Sequence, residues 1–266
     1  MTMSWKSIAW ILLLGALGIG FYMRRRQIPT VDKANALTVG TNATYPPYES
    51  VNTDGNLEGF DIDFIKKVGE RIGKNVVIED MGFDALVLAT QQGKIDCAIA
   101  GISITPEKLQ AVDMIHYQGG GAKHFVLVFT DALPKELRSL DAILAKRDLP
   151  VAVQIGTITE KFVRDKNQEQ ARIFESVSEI VMDVTHNKSS AAVFESHIFA
   201  EVAQKFPKLK HVKIELKPNE QSKGNGICVN KKNKTLHANI KKAVEELKKE
   251  GIVKALEQKW FAGDEE

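Results

Sequence analysis

Residues 97–108 read Cys97-Ala98-Ile99-Ala100-Gly101-Ile102-Ser103-Ile104-Thr105-Pro106-Glu107-Lys108. The first four are small and apolar and predict a buried strand. Gly101 ends it and lets a ligand come close to the backbone. Ser103 and Thr105 supply hydroxyls, and Pro106 suits the first turn of a short helix. Strand, polar loop and helix start in succession form the repeating unit of an open α/β sheet, where ligands bind at the carboxyl ends of the strands.

The same rhythm extends on both sides of this stretch. Residues 37–40, 76–78, 125–129, 151–153 and 191–194 are short apolar runs and predict strands. Between them lie helical patterns. In 60–72, Phe60, Phe64, Val68 and Ile72 recur every four residues until Gly73 stops them. Further helices are predicted at 83–91, 159–165, 177–185, 196–205 and 239–250, with a break at Gly251 and a last helix at 252–260. Strands alternating with helices predict parallel sheets covered on both faces, and two such series predict two α/β lobes.

The amino terminus is a separate object. Residues 7–23 carry no charge, Lys6 precedes them and Arg24-Arg25-Arg26 follows. No polar face marks them as an amphipathic core helix, so an export signal or a membrane anchor is expected. Ala34-Asn35-Ala36 has the form of a cleavage site but lies far from the apolar run, and the three arginines favour retention on the cytoplasmic side. Signal and signal anchor both remain open for residues 1–36. The rest of the chain is expected outside the cytoplasm, in the periplasm.

Charge and cysteine content exclude several classes. The 266 residues carry 36 Lys+Arg and 34 Asp+Glu, a net charge of +2, which gives no basis for binding nucleic acid. Residues 1–36 hold five of the basic residues and one of the acidic. The remaining 230 therefore carry −2. Two cysteines, Cys97 and Cys228, exclude a disulfide scaffold and a cysteine-rich zinc module. Both are expected on buried strands, either paired or as free thiols. No clustered metal ligands, no nucleophile triad and no cofactor motif is present, so neither metal nor cofactor is expected.

Each loop after a strand admits two readings. Tyr45, stiffened by Pro46 and Pro47 within residues 41–48, is a stacking platform at a pocket mouth or a cover over a sheet edge. Phe83 faces the same cleft or packs in the core; with Tyr45 it would sandwich a flat cation. Lys108 reaches back over exposed N–H groups to hold a carboxylate, or Thr105 caps a helix and Lys108 is solvated. Gln154-Ile155-Gly156-Thr157 opens a helix and offers further N–H groups for an anion. Glu195 ends a strand where an acid meets an ammonium group, or it is a plain helix-start carboxylate. His197, two residues on, lines the cleft or serves a structural role.

Taken in order, the motifs resemble the polar amino-acid solute-binding proteins that feed ABC importers, the type 2 periplasmic binding proteins. They are 40–48, Gly59-Phe60-Asp61-Ile62-Asp63, Phe83-Asp84-Ala85-Leu86, Gly93-Lys94-Ile95-Asp96, 100–107, Gln154-Ile155-Gly156-Thr157, Gly224-Asn225-Gly226-Ile227 and 251–260. The resemblance covers residues 37–261, and within the family it is greatest to arginine-binding proteins, chlamydial ones included. It implies two lobes joined by two hinge strands, with 37–130 plus 222–266 as the first lobe and 131–221 as the second. It also implies hinge closure over an amino acid, an ABC permease of the inner membrane as partner, and a monomer.

By position, Tyr45 and Phe83 would stack on the ligand side chain, and Gly101 and Ser103 would help hold its α-amino and α-carboxylate groups. Lys108 and Thr157 would meet the carboxylate, Glu195 the α-ammonium, and Asn42 would lie near the distal end. Three positions depart from the family pattern. Lys108 stands for the usual arginine and offers a point charge instead of a planar fork. Glu195 stands for the usual aspartate. Asn42 stands where several basic-amino-acid binders have an acid. Gly119-Gly120-Gly121 replaces a less flexible segment. The alternative function is an enzyme similar to the cyclohexadienyl dehydratases built on this scaffold, with Glu195 as general acid beside Lys108.

Overall fold

The computed structural model describes residues 35–261. The apolar segment 7–23 and the proposed cleavage site lie outside the described residues or at their edge. No helix among the described residues is long and apolar enough to cross a membrane.

Two five-stranded sheets form two lobes. The first contains β1 (Ala36–Thr41), β5 (Asn75–Asp80), β6 (Cys97–Ala98), β7 (Asp113–Gln118) and β13 (Asn225–Val229), in the order β5-β1-β6-β13-β7. The second contains β8 (His124–Phe129), β9 (Val151–Gln154), β10 (Ala171–Phe174), β11 (Ala191–Glu195) and β12 (Lys210–Glu215), in the order β10-β9-β11-β8-β12. A small antiparallel sheet of β2 (Thr44–Tyr45), β3 (Glu49–Val51) and β4 (Leu57–Glu58) follows β1.

The sheets are mixed, where parallel ones were expected. The pairs β1–β6, β9–β10 and β9–β11 run parallel, but β13 runs antiparallel to β6 and β7, and β8 to β11 and β12. Helical crossovers make parallel pairs. The strands next to the inter-lobe crossings are fed directly from the other lobe and arrive reversed. This also moves one expected boundary. Strand β8 (His124–Phe129), assigned from sequence to the first lobe, lies in the second sheet, so the chain crosses at 119–123 and not near 130. It returns at 216–224.

Neither crossing is a strand, although two hinge strands were expected. Glycine is required there because the two segments pack backbone against backbone. A Cβ on Gly121 would lie 2.0 Å from the Ser222 carbonyl oxygen, and one on Gly224 would lie 2.4 Å from that of Gly119. Gly119, Gly121 and Gly224 all have φ between +72° and +85°, the left-handed region that side chains disfavour.

Side chains alternate across both sheets and give each lobe two apolar layers. In the first, Leu37, Val39, Cys97, Ile99, Ile227 and Val229 face helices α1 (Phe60–Arg71) and α8 (Lys234–Lys249). Ala98, Ala100 and Cys228 face α2 (Phe83–Gln92) on the other side. In the second, Phe125, Leu127, Val151, Val153 and Val193 face α5 (Ile158–Asn167). Val126, Val128, Ala152, Ala192 and Phe194 face α6 (Val177–Thr185) and α7 (Ser196–Lys205). The two cysteines sit on neighbouring strands but on opposite faces of the sheet, which separates their thiols. Both are free and buried, and burial pushes the Cys228 thiol up to about 12. Helix α8 starts five residues earlier than its periodicity indicated, because Asn233 caps it by accepting from Leu236 N at 3.1 Å.

A buried carboxyl pair lies beneath the loop after β6. Asp61, in the first turn of α1, accepts from Gly101 N at 2.7 Å and from the Tyr117 hydroxyl at 2.8 Å. Its other oxygen and both oxygens of Glu49 are buried with no donor from any other described residue. The two carboxyls face each other, and burial pushes both up; Asp61 raises Glu49 further, whereas the contact with Glu49 offsets part of the rise at Asp61. Two acceptors in contact are satisfied only if they share a proton. Stability from such a pair is complete below the ordinary carboxylate range and is lost as pH rises through the raised folded-state values, at up to about 1.4 kcal/mol per pH unit per proton. The thermal midpoint should therefore fall between about pH 5 and pH 8. Glu49→Gln supplies a permanent N–H donor and should flatten that slope. A variant whose midpoints track the wild type at every pH would show that no proton is shared.

Candidate functional site

Five segments meet where the lobes face each other: the loops after β1, β5 and β6 in the first lobe, and the starts of α5 and α7 in the second. Tyr45, Phe83, Gly101, Ser103, Lys108, Thr157 and Glu195 line one cavity there, with Ile158. Seven of the eight residues expected at the site are thus brought together. The eighth, Asn42, is not among the lining residues. Its amide is occupied: Nδ2 donates to Met81 O at 3.0 Å, and Oδ1 accepts from Thr44 Oγ1 at 2.7 Å and, across the cleft, from Gln154 Nε2 at 3.3 Å.

The free space is about 10 Å3, far below the volume of any amino acid. The lobes are in contact at several points around it. The Tyr45 hydroxyl donates to Glu195 Oε1 at 3.3 Å, from first lobe to second. Gly156, φ +74°, leaves its missing Cβ 3.1 Å from Asp84 Cα and 3.2 Å from the Phe83 ring. Any side chain at 156 would push against the opposing backbone.

Tyr45 lines the cavity, and its ring stacks on Tyr48 at 5.9 Å and 25°. Tyr48 is fixed in turn: its hydroxyl donates to Gln118 Oε1 and accepts from Asn225 Nδ2, both at 3.0 Å. His197 packs edge-on against both tyrosines, and burial pushes it down to about 4, so it is neutral.

Thr105 does cap the helix α3 (Pro106–Ala111), accepting from Lys108 N at 3.3 Å, but the Lys108 side chain is not solvated. It turns back into the cleft. Nζ donates to Ser103 O at 3.3 Å and stands 5.7 Å from the centroid of the Phe83 ring. Burial lowers its pKa, and Glu195 and other nearby acidic groups oppose that. Glu195 shows the converse. Burial pushes its carboxyl up to about 7, against the Lys108 cation and the Tyr45 hydroxyl, which both favour the charged form. Thr157 caps α5, accepting from Glu160 N at 3.2 Å and donating to Gln154 O at 2.7 Å. Its hydroxyl is engaged locally, which leaves the helix start itself as the feature offered to an anion.

A cation and a carboxylate, from different lobes, thus line one buried space beside two aromatic rings. Such a space complements a zwitterion. Among the described residues no group of three side chains suits a metal ion. Three functional neighbours had no clear signal in the sequence. Gln154 and Asn225 stood out only as members of quoted motifs, and Gln118 not at all; Gln118 and Asn225 act through Tyr48. Asp61, which holds Gly101, lay in plain view in the Gly59–Asp63 motif.

Residues 37–263 match the family model of bacterial extracellular solute-binding proteins, family 3. The probable ABC transporter arginine-binding protein ArtJ of Chlamydia trachomatis is 40% identical over 228 residues, 84% of each chain. Among solved structures, an ancestral arginine-binding protein bound to arginine superposes with a TM-score of 0.76 at 30% identity, covering 85% of this chain and 98% of its own. An ancestral amino acid-binding protein described as a precursor of cyclohexadienyl dehydratase gives 0.74 at 28%, covering 86% and 96%. With its two mixed α/β lobes and the family match across nearly all described residues, the chain belongs to family 3 of the bacterial extracellular solute-binding proteins.

Proposed function

We propose that the protein captures a polar amino acid, L-arginine by preference, and delivers it to an ABC permease of the inner membrane. It works in the periplasm as a monomer, exported or anchored by residues 1–36. Its lobes, 37 to about 118 with 225–261, and about 124–215, part and close about the two crossings. The observation that carries this reading is that Lys108 and Glu195, from different lobes, line one cavity. Lys108 takes the α-carboxylate together with the start of α5 at Thr157. Glu195 takes the α-ammonium with help from Ser103 and the backbone at Gly101. Tyr45 and Phe83 flank the side chain, and Asn42 with Gln154 closes the cleft over it. The arginine-binding relatives named above support the choice of ligand.

Catalysis is the weaker reading. Glu195, with its carboxyl near 7, has the protonation a general acid needs. The relatives are binding proteins, however, and even the neighbour related to the dehydratases is described as binding an amino acid.

L-Arginine should raise the thermal midpoint of the purified protein, by about 3 kcal/mol of stability at a hundredfold excess over Kd. A panel of common amino acids that gives neither a shift nor calorimetric heat would overturn the reading. Binding should also depend on pH with a definite sign. Protonated Glu195 cannot pair with the α-ammonium, so affinity should fall as pH drops below about 7, by up to tenfold per unit. Glu195→Gln should bind more weakly and lose that dependence. Gly156→Ala should weaken binding about tenfold by obstructing closure, with a cost in stability of only about 1–2 kcal/mol from the positive φ. Unchanged affinity in Gly156→Ala would mean that closure does not bring residue 156 against Asp84.

A further inference from the structure

We propose that the Lys108 ammonium is a built-in occupant of the cation subsite, and that displacing it makes a free α-carboxylate a condition for binding. The inference rests on the reading of this cavity as an amino-acid site and specifies how that site rejects amines.

Three groups surround the Lys108 ammonium. The Ser103 carbonyl accepts its hydrogen bond at 3.3 Å, the Phe83 ring lies under it at 5.7 Å, and the Glu195 carboxyl lines the same 10 Å3 cavity. A carbonyl, an aromatic face and a carboxylate are what any primary ammonium seeks when it leaves water. Among the described residues Lys108 makes no ion pair shorter than 4 Å, so it is held only by this set. The ligand's own ammonium needs the same positions. Both cannot be there, because the remaining space is too small for even one further group.

Lysine suits this exchange better than arginine. Its single charge sits on a four-carbon stem with free rotation, and no fork of hydrogen bonds has to be broken to move it. There is also room to move. A second cavity of about 260 Å3 adjoins the first and is lined by Lys108 itself, Phe83, Val87, Ile102 and Gly156, with Asp84 and Glu107 among its residues. The stem can swing along that apolar wall while Nζ stays beside a ligand carboxylate.

The charge count then separates two classes of ligand. An amino acid brings an ammonium, which replaces Nζ beside Ser103 O and Glu195, and a carboxylate, which receives the displaced Nζ. Every charge is paired afterwards. An amine without a carboxylate brings only the cation. It leaves two cations beside the one carboxylate of the closed cavity, and the evicted Lys108 ammonium has only the exposed, solvated carboxylates of Asp84 and Glu107 within its reach. Agmatine, which is arginine without its carboxylate, isolates this difference because its guanidinium and its ammonium are both retained.

The test is calorimetric titration of L-arginine and agmatine into the wild type, Lys108→Met and Lys108→Gln at pH 8, where Glu195 is charged. Wild-type protein should bind agmatine about a hundredfold more weakly than L-arginine. Both variants should bind L-arginine about tenfold or more weakly than the wild type, yet bind agmatine about tenfold more tightly. Melting of the ligand-free variants within a few degrees of the wild type shows that they are folded, and having two substitutions guards against one that is not. Agmatine affinity that is unchanged or lower in both variants overturns the proposal and leaves Lys108 as a carboxylate partner only. Failure of the wild type to bind L-arginine or any other amino acid would instead overturn the functional reading. The comparison of agmatine between wild type and variants still decides whether Lys108 occupies the subsite.

Discussion

The binding loop rests on one carboxyl group. Asp61 accepts the Gly101 N–H and the Tyr117 hydroxyl on a single oxygen and presents the other to Glu49. This ties the first turn of α1, the end of β6, the edge strand β7 and the small sheet after β1 into one cluster. The position of Ser103, the start of α3 and the direction from which Lys108 enters the cleft all follow from where Gly101 is held. A buried acid is an expensive anchor for a loop. A shared proton reduces that cost, because only one charge at most remains in the core.

The chemistry of the cleft is set by scarcity of charge. One partly buried cation and one buried carboxylate shift each other in opposite directions, and burial opposes both. A zwitterion supplies the missing partner to each. Surface ion pairs such as Lys161–Glu107, at 3.9 Å across the cleft mouth, are solvated and contribute little by comparison. Under the proposed function, selectivity for the class of ligand comes from Lys108 and Glu195, and the aromatic rings and the Asn42–Gln154 amides act on the side chain.

Much of this was legible in the sequence, for physical reasons that differ by element. Helix α1 declares itself through Phe60, Phe64 and Val68 because its buried stripe is continuous. The loop 101–108 declares itself through residue types that suit an anion. Strand β8 was placed in the wrong lobe because an apolar run of five residues does not reveal which sheet it joins; only its partners, β11 and β12, decide that. The strands β7 and β12 were missed because their exposed or mixed faces break the apolar run. The direction of the Lys108 side chain was out of reach, since it depends on Phe83 and Ser103 meeting around it. For Asn42 the residue type was read correctly as uncharged, but its hydrogen bonds to Met81 and Gln154 could not be inferred from its neighbours in the chain.

The interior position of β13 has a consequence for how the protein is made. In the first sheet β13 lies between β6 and β7, pairing Cys228 with Ala98 on one side and with Met114 on the other. Well over a hundred residues separate these partners, and the whole second sheet lies between them in the chain. Sheet two can be completed from a contiguous stretch, whereas sheet one lacks the strand that joins β6 to β7 until residues 225–229 have emerged. Order of assembly is thereby written into the strand order. The later-made sheet is the one that holds the chain's earlier residues, and its two halves wait, with unpaired edges, for a strand synthesised near the end.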